Sequence, residues 1–158
     1  MNRQREGIRQ KQGVINLMFF LFLLSALTAG AVRSEENTLS FLKPCPSSPN
    51  CVSSLSDDPG RRIDPLPLAG TADETLSLLV RAVETFPRAS IALREELYLK
   101  AEFRTWMGFV DDVEFLVDKA RGAVQVRSGS RTGYWDLGVN RKRMEALRRT
   151  YLEMKDRK

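Results

Sequence analysis

The chain contains no histidine and only two cysteines among its 158 residues. Without histidine, a Ser-His-Asp triad, a Cys-His pair, a histidine general base and His-ligated metal sites are all excluded. Two cysteines alone do not complete the four-ligand set of a structural zinc site. The sequence also has no P-loop, dinucleotide-binding glycine motif or nucleophile elbow. No cofactor and no metal is predicted, and any enzyme chemistry would depend on carboxylates, Tyr, Lys, Ser or an oxygen-ligated metal.

A long uncharged stretch lies near the N-terminus, from Val14 to Val32. The cations that precede it are Arg3, Arg5, Arg9 and Lys11. This layout, followed by small residues and a possible A-x-A cleavage after Ala31, is typical of an export signal. The stretch also reaches the ~17–25 residues that span a bilayer, so a retained membrane anchor stays open. In both cases the remaining chain is predicted to be periplasmic or anchored with its domain outside the cytoplasm.

The predicted organisation is an export signal or signal-anchor at 1–31, an extended arm at 32–70 and an α+β domain at 71–158. Removing the four cations and one carboxylate of the export segment lowers the net charge from +5 to +2. This small excess does not indicate a nucleic-acid partner. Membrane association through Val14–Val32 is compatible with it.

Cys45 and Cys51 enclose a short loop that is rich in Pro and Ser. An oxidising compartment favours pairing them. A redox centre is the alternative, but the spacing is not C-x-x-C and only Lys43 is near enough in sequence to activate a thiolate. A structural disulfide that closes the arm is therefore favoured, and it contributes about 2 kcal/mol in the chain-entropy model.

The pattern after the arm predicts a helix that opens at Thr71 with a capping box to Glu74 and ends at Pro87. Its apolar stripe is Leu76, Leu79, Val80, Val83 and Phe86. A closing helix from about Asn140 has the stripe Met144, Leu147, Tyr151 and Met154. Ile63, Leu66 and Leu68 are the arm residues expected to dock on the core.

Between the helices, apolar residues alternate with polar ones at a period of two, which predicts four strands. Their inner faces are Ile91 and Leu93; Leu97, Leu99, Ala101 and Phe103; Val113, Phe115 and Val117; and Val124 and Val126. Short connections favour an antiparallel meander. The predicted fold is an α+β two-layer sandwich, a four-stranded antiparallel sheet with two helices, preceded by the disulfide-closed arm.

Carboxylates and cations occupy the other face of the same strands. Asp112, Glu114 and Asp118 lie opposite the apolar set of the third strand. The neighbouring outward residues are Lys100, Glu102, Arg104, Gln125, Arg127 and Arg131. A ladder of cross-strand ion pairs is the favoured interpretation. The alternative is a charged groove for an ionic ligand, or a divalent cation on Asp111 and Asp112.

A second cluster stands at the start of the last helix, where Arg141, Lys142 and Arg143 occupy a first turn that disfavours cations. Compensation is expected from Asp136 or from carboxylates of the sheet. Without it, the helix N-terminus and the guanidiniums form an anion site. The turn just before it carries Arg131, Tyr134 and Trp135 between glycines.

The motifs CPSSPNCVS at 45–53, AEF at 101–103, FVDDVEF at 109–115 and RSGSRTGYWDLGVNRKR at 127–143 cover much of the chain after Leu42. They resemble an uncharacterised bacterial and plastid family, domain of unknown function 1499, over about 42–154. Gly129 and Trp135 depart from that family's pattern. The resemblance implies an exported or membrane-associated domain and brings no established reaction, cofactor or catalytic residue.

Two functions are therefore predicted. The favoured one is a non-enzymatic extracytoplasmic module that binds an anionic small molecule, a lipid headgroup or an envelope protein. Its predicted binding residues are Arg127, Arg131, Tyr134, Asp136, Asn140, Arg141 and Arg143. The alternative is a carboxylate-based enzyme, with or without a metal ion, that uses Asp111, Asp112 and Glu114.

Overall fold

The computed structural model describes residues 42–157, which contain two helices and six strands. They are β1 (Cys51–Ser53), β2 (Leu66–Pro67), α1 (Ala72–Glu84), β3 (Ala89–Arg94), β4 (Tyr98–Arg104), β5 (Val110–Asp118), β6 (Ala123–Ser130) and α2 (Val139–Asp156). The predicted export segment and the first part of the arm lie outside the described residues. Within 42–157, no helix is both long enough and apolar enough to cross a membrane.

The sheet is antiparallel throughout, in the order β1-β6-β5-β4-β3, with β2 also paired to β6. The predicted α+β class is confirmed, but the prediction of four strands is wrong because the sheet has six. The two additional strands come from the arm, where Cys51 aligns with Gly129 and Leu66 with Val124. They pair with the edge of β6, whose backbone groups would otherwise lack partners.

The predicted disulfide is present between Cys45 and Cys51. It passes directly beside Gly129 of β6, where an added Cβ would lie 3.3 Å from the Cys51 Sγ. The glycine at this position therefore makes room for the disulfide against the sheet. The arm also docks as predicted, since Ile63 and Leu66 are buried in the core.

Helix α1 begins with the predicted capping box. The Thr71 hydroxyl accepts a hydrogen bond from the Glu74 N–H at 3.2 Å, and the Glu74 carboxylate accepts one from the Thr71 N–H at 2.8 Å. The helix ends at Glu84, before Pro87. Phe86 therefore lies beyond the helix rather than on its stripe, although its ring still meets that of Phe103 edge to face at 5.8 Å.

Both helices pack against one face of the sheet and against each other, α1 over β3, β4 and β5 and α2 over β6 and β1. The predicted inner-face residues that lie within β4, β5 and β6 are buried there, and Leu97, just before β4, is half-buried. Leu93 is an exception and is 44% exposed, because an irregularity between Ile91 and Leu93 shifts the register of β3 against β4. A period-two count cannot anticipate such a shift.

The opposite face of the sheet is only partly solvated. Leu42, Tyr98 and Leu116 form a small apolar cluster on it. Glu114, Asp118 and Gln125 are also buried on this face, which the alternation alone had predicted to be open. Because Glu114 and Asp118 are buried, their carboxylates lie in a less polar environment than an exposed sheet face offers.

Candidate functional site: an apolar cleft beside paired arginines

A cleft opens at one end of the sheet, where three connections meet. Phe103 aligns with Ala89 on one side and with Asp111 on the other, and Asp111 aligns with Ser130. This register brings together the turn before β3, the β4–β5 hairpin tip at 105–109 and the β6–α2 loop at 131–138. The space between them measures about 680 Å³, which is within the usual size of a small-molecule site.

The walls of the cleft are apolar and exposed. Among the described residues, nine large hydrophobic side chains are exposed, and seven of them belong to the hairpin tip, the β6–α2 loop or the first residue of α2. The seven are Trp106, Met107, Phe109, Tyr134, Trp135, Leu137 and Val139. Trp106 is 82% exposed and Trp135 69%. Exposed apolar surface concentrated in this way is common at interaction sites.

The hairpin tip is held by its own hydrogen bonds. The Thr105 N–H donates to the Phe109 carbonyl at 2.8 Å, and the Phe109 N–H donates to the Thr105 hydroxyl at 3.0 Å. Gly108 closes the turn at φ 88°, a conformation that side chains disfavour. Trp106 and Met107 lie within this turn, and both side chains are exposed.

The β6–α2 loop is tied down by Asn50 and Asp136. The Asn50 side-chain amide donates to the Gly133 carbonyl at 2.5 Å. The Asp136 carboxylate accepts hydrogen bonds from the N–H groups of Gly138 and Asn140 at 3.0 and 2.8 Å. Asp136 thus compensates the basic first turn of α2, as the sequence predicted.

The floor of the cleft contains a buried ion pair that joins β5 to α2. The Arg143 Nη2 lies 2.6 Å from the Asp111 Oδ2, and the two side chains are 10% and 3% exposed. Arg143 also lies over the Phe103 ring, 5.0 Å from its centroid. It donates a further hydrogen bond to the Asn140 Oδ1 at 3.0 Å. Asp111 is therefore the sheet carboxylate that neutralises this first-turn cation.

Asn140 is fully buried beneath the loop and connects three segments. Its Oδ1 accepts from the Ser128 hydroxyl at 2.5 Å, and its Nδ2 donates to the Asn50 carbonyl at 3.1 Å. The same nitrogen donates to the Ser130 hydroxyl and to the Asp136 carboxylate. Asn140 thereby links the arm, β6 and the start of α2.

The predicted ladder of cross-strand ion pairs on the other face is confirmed. Lys100 lies 3.3 Å from Asp112, and Arg127 lies 2.6 Å from Glu114. Arg131 bridges Asp112, at 2.7 Å, and Glu102. The outward parity of these residues, read along each strand, placed each cation beside a carboxylate.

The pKa values on this face follow from burial and pairing. Burial would raise the pKa of Asp112, but hydrogen bonds from Arg131 and Lys100 outweigh it and lower that pKa below its ordinary value. Burial, strengthened by a 2.7 Å hydrogen bond to Glu114, raises the pKa of Tyr98 above its ordinary value. Tyr98 therefore acts as a neutral hydrogen-bond donor.

The structure brings only part of the predicted binding set to the cleft. Asp136 and Arg143 line it, and Asn140 lies beneath it. Tyr134 is exposed on the adjoining loop, and Arg141 donates to the Gly60 carbonyl at 2.9 Å. The remaining members, Arg127 and Arg131, are on the other face of the sheet with carboxylate partners.

The three predicted carboxylates do not converge. Asp111 lies on the helix-covered face, whereas Asp112 and Glu114 lie on the opposite face, and each has a cationic partner. Across residues 42–157, no group of three or more Cys, Asp or Glu side chains is arranged to hold a metal ion.

Sequence reasoning placed Lys142, Tyr134 and Trp135 near a binding cluster, but it missed the cleft itself, its hairpin-tip wall and Arg88. Lys142 is exposed at the cleft, and the described residues include no carboxylate paired with it. Arg88 also lines the cleft, and its guanidinium donates to the Arg104 carbonyl at 3.2 Å. The sequence signal for the walls was the pair of motifs TWMGF at 105–109 and GYWDLG at 133–138. Both place large apolar residues in glycine-containing turns, where core packing does not explain them.

Comparison with known proteins gives one family. No curated protein and no solved structure matches the chain. The model of a protein family of unknown function, DUF1499, matches residues 41–150, which include the disulfide-closed loop, the sheet, the cleft and most of α2. Since this match spans well over half of the sequence, the chain belongs to the DUF1499 family.

Proposed function

We propose that this protein is a non-enzymatic extracytoplasmic binding module whose cleft holds an amphipathic anion, a molecule with an apolar body and a negatively charged group. The observation that carries the proposal is the combination of exposed apolar walls with an excess of positive charge. The charged residues that line the cleft are Arg88, Arg104, Lys142 and Arg143 against Asp111 and Asp136. Arg104 pairs with Glu102 at 3.2 Å and Arg143 pairs with Asp111, so Arg88 and Lys142 are the lining cations without a carboxylate partner among the described residues, and they favour an anion.

The carboxylates of the cleft do not oppose this assignment. Asp111 is neutralised by Arg143 at 2.6 Å. Asp136 is engaged by two backbone N–H groups and by the Asn140 side chain. An anionic group would therefore approach Lys142 and Arg88, while the apolar body would cover Trp135 and other wall residues at roughly 25 cal/mol per Å² buried.

The N–H groups at the start of α2 are less suited to the anion than the side chains. Those of Gly138, Val139 and Asn140 already donate to Asp136. Likewise, an anion at Arg127 or Arg131 would have to displace a carboxylate partner. These contacts move the proposed site from the arginine cluster to Lys142 and Arg88 at the cleft.

The extracytoplasmic location and the lack of enzymatic activity are part of the same proposal. The predicted export segment and the Cys45–Cys51 disulfide support an oxidising compartment. Asp111 lies on the opposite face of the sheet from Asp112 and Glu114, so the three carboxylates do not meet in one site. The alternative function, a carboxylate-based enzyme, therefore has no supporting contact.

Native mass spectrometry of the full chain, purified in a neutral detergent, tests the proposal. Dodecyl phosphate is the probe, with dodecanol and inorganic phosphate as its apolar and anionic halves. We expect a one-to-one adduct with dodecyl phosphate and much weaker binding of either half. Lys142→Gln should weaken the adduct about fivefold, the effect of one partly solvated charge contact of about 1 kcal/mol.

Lys119→Gln is the matched control, because Lys119 lies in the turn between β5 and β6, outside the cleft. It removes the same charge and should leave the adduct unchanged. Failure of dodecyl phosphate to bind, or equal binding by the two variants, would contradict the proposal.

A further inference from the structure

We propose that the cleft end of the domain docks on a bilayer surface that contains anionic lipid, with the tips of the β4–β5 hairpin and the β6–α2 loop inserted at the headgroup level. The inference rests on the proposed function and deepens it, since it identifies the amphipathic anion as a membrane lipid. The docking surface is defined as residues 105–109 and 131–139.

The first argument is the kind of side chain that the surface exposes. The chain has two tryptophans, and both are in this surface, Trp106 and Trp135. Tyr134 beside them is 75% exposed. Trp and Tyr, which combine an apolar ring with a polar group, concentrate where a bilayer meets water. Leu137, 71% exposed in the same loop, adds an aliphatic chain that is suited to the acyl region.

The second argument is geometric. β4 ends and β5 begins at the same end of the sheet, and the Arg131 N–H donates to the Val110 carbonyl at 3.0 Å, so the two loops leave the sheet side by side. Both loops are also fixed, one by the Thr105 hydrogen bonds and the other by Asn50 and Asp136. A flat surface can therefore meet both tips at once, without a large cost of ordering them.

The third argument is charge. Arg88 and Lys142 line the cleft between the loops, and the described residues include no carboxylate paired with either. Arg104 and Arg131 also lie near the tips, but they pair with Glu102 and Asp112 and add less to the attraction. Each cation near an anionic leaflet strengthens attachment by roughly fivefold. An apolar centre with a cationic border fits a bilayer with anionic headgroups, in which the apolar phase lies behind the charge.

Tryptophan emission tests the docking, because the only two reporters are in the proposed surface. The full chain is reconstituted into bilayers of phosphatidylcholine alone or mixed with phosphatidylglycerol, with bromine on the acyl chains as the quencher. We expect a blue-shifted emission that is quenched strongly in the mixed bilayer and less in phosphatidylcholine, with the difference reduced at high salt. Trp106→Phe and Trp135→Phe then assign the signal to each loop.

Leu137→Ser and Leu93→Ser are matched variants, since both remove an exposed leucine and Leu93 lies outside the surface, in β3. We expect Leu137→Ser to reduce quenching and Leu93→Ser to leave it unchanged. Unquenched emission in both bilayers would overturn the docking, as would equal effects of the two variants. Quenching that is independent of phosphatidylglycerol would overturn the anionic-lipid part.

The two proposals can fail separately. If dodecyl phosphate binds at Lys142 but neither tryptophan is quenched, the docking is wrong and the cleft binds a soluble amphiphile. If the tryptophans are quenched but dodecyl phosphate does not bind, the docking stands and the ligand assignment of the cleft is wrong.

Discussion

Removing the buried carboxylate beneath the cleft should destabilise the fold strongly. In Asp111→Ala, the Arg143 guanidinium stays buried without the partner that now lies 2.6 Å away. Loss of one member of a buried pair costs roughly 3–5 kcal/mol, whereas a domain's whole free energy of unfolding is about 5–15 kcal/mol. We therefore expect a well-defined shift of the urea midpoint, measured on the full chain by far-UV circular dichroism.

A second substitution removes the Arg143 guanidinium that Asp111→Ala leaves unpaired. Arg143→Met in the Asp111→Ala background should recover at least about 2 kcal/mol, because no unpaired charge is then buried. Full recovery is not expected. Arg143 also contacts the Phe103 ring and donates to Asn140, and these contacts are lost in the double variant.

Asp112→Ala is the control for this experiment. Asp112 is the next residue of the same strand, but it faces the opposite side of the sheet and pairs with the partly exposed Arg131. Its loss should destabilise much less, because water screens the charge that remains. Equal losses of stability in Asp111→Ala and Asp112→Ala would refute the reasoning. It would also be refuted if Arg143→Met in the Asp111→Ala background recovered no stability.

Three further predictions concern the arm, the buried hub and pH. Cys45→Ser with Cys51→Ser should lower the free energy of unfolding by about 2 kcal/mol in urea titrations, and the reduced wild type should behave likewise. Asn140→Ala should cost about 2–3 kcal/mol, since it leaves several buried partners unsatisfied; a neutral effect in thermal unfolding would contradict its structural role. The folded-state pKa values of Asp112 and Asp118 lie below their ordinary value of 3.8, so their stabilisation is complete above that value and is lost as the pH falls through the folded pKa. The urea midpoint should therefore decline below about pH 4, and Asp112→Asn with Asp118→Asn should flatten that decline.

Local patterns predicted the elements of the α+β domain well. The Thr71–Glu74 capping box, the helical stripes and the period-two faces of β4, β5 and β6 depend on residues close together in sequence. The same alternation predicted that Asp112 and Glu114 face cations across neighbouring strands, because side-chain direction in a strand is set by parity. The disulfide also followed from local spacing and compartment.

Local patterns failed where the outcome depended on a distant partner. The arm was predicted as an extended segment without strands. Parts of it form β1 and β2 because they pair with the edge of β6. The register shift at Leu93 was equally invisible, because an irregularity in pairing is set by both strands.

The sequence by itself determined the two helices and the four central strands, and which of their faces are apolar or charged, because 3.6- and two-residue periods are properties of the chain. Only the tertiary structure decided that Arg143 pairs with Asp111, so that much of the predicted anion site is internally neutralised. It also decided that the loops at 105–109 and 131–138 adjoin the turn before β3 to form one apolar cleft. The physical reason is that strand pairing, not sequence proximity, sets which loops share an end of a sheet.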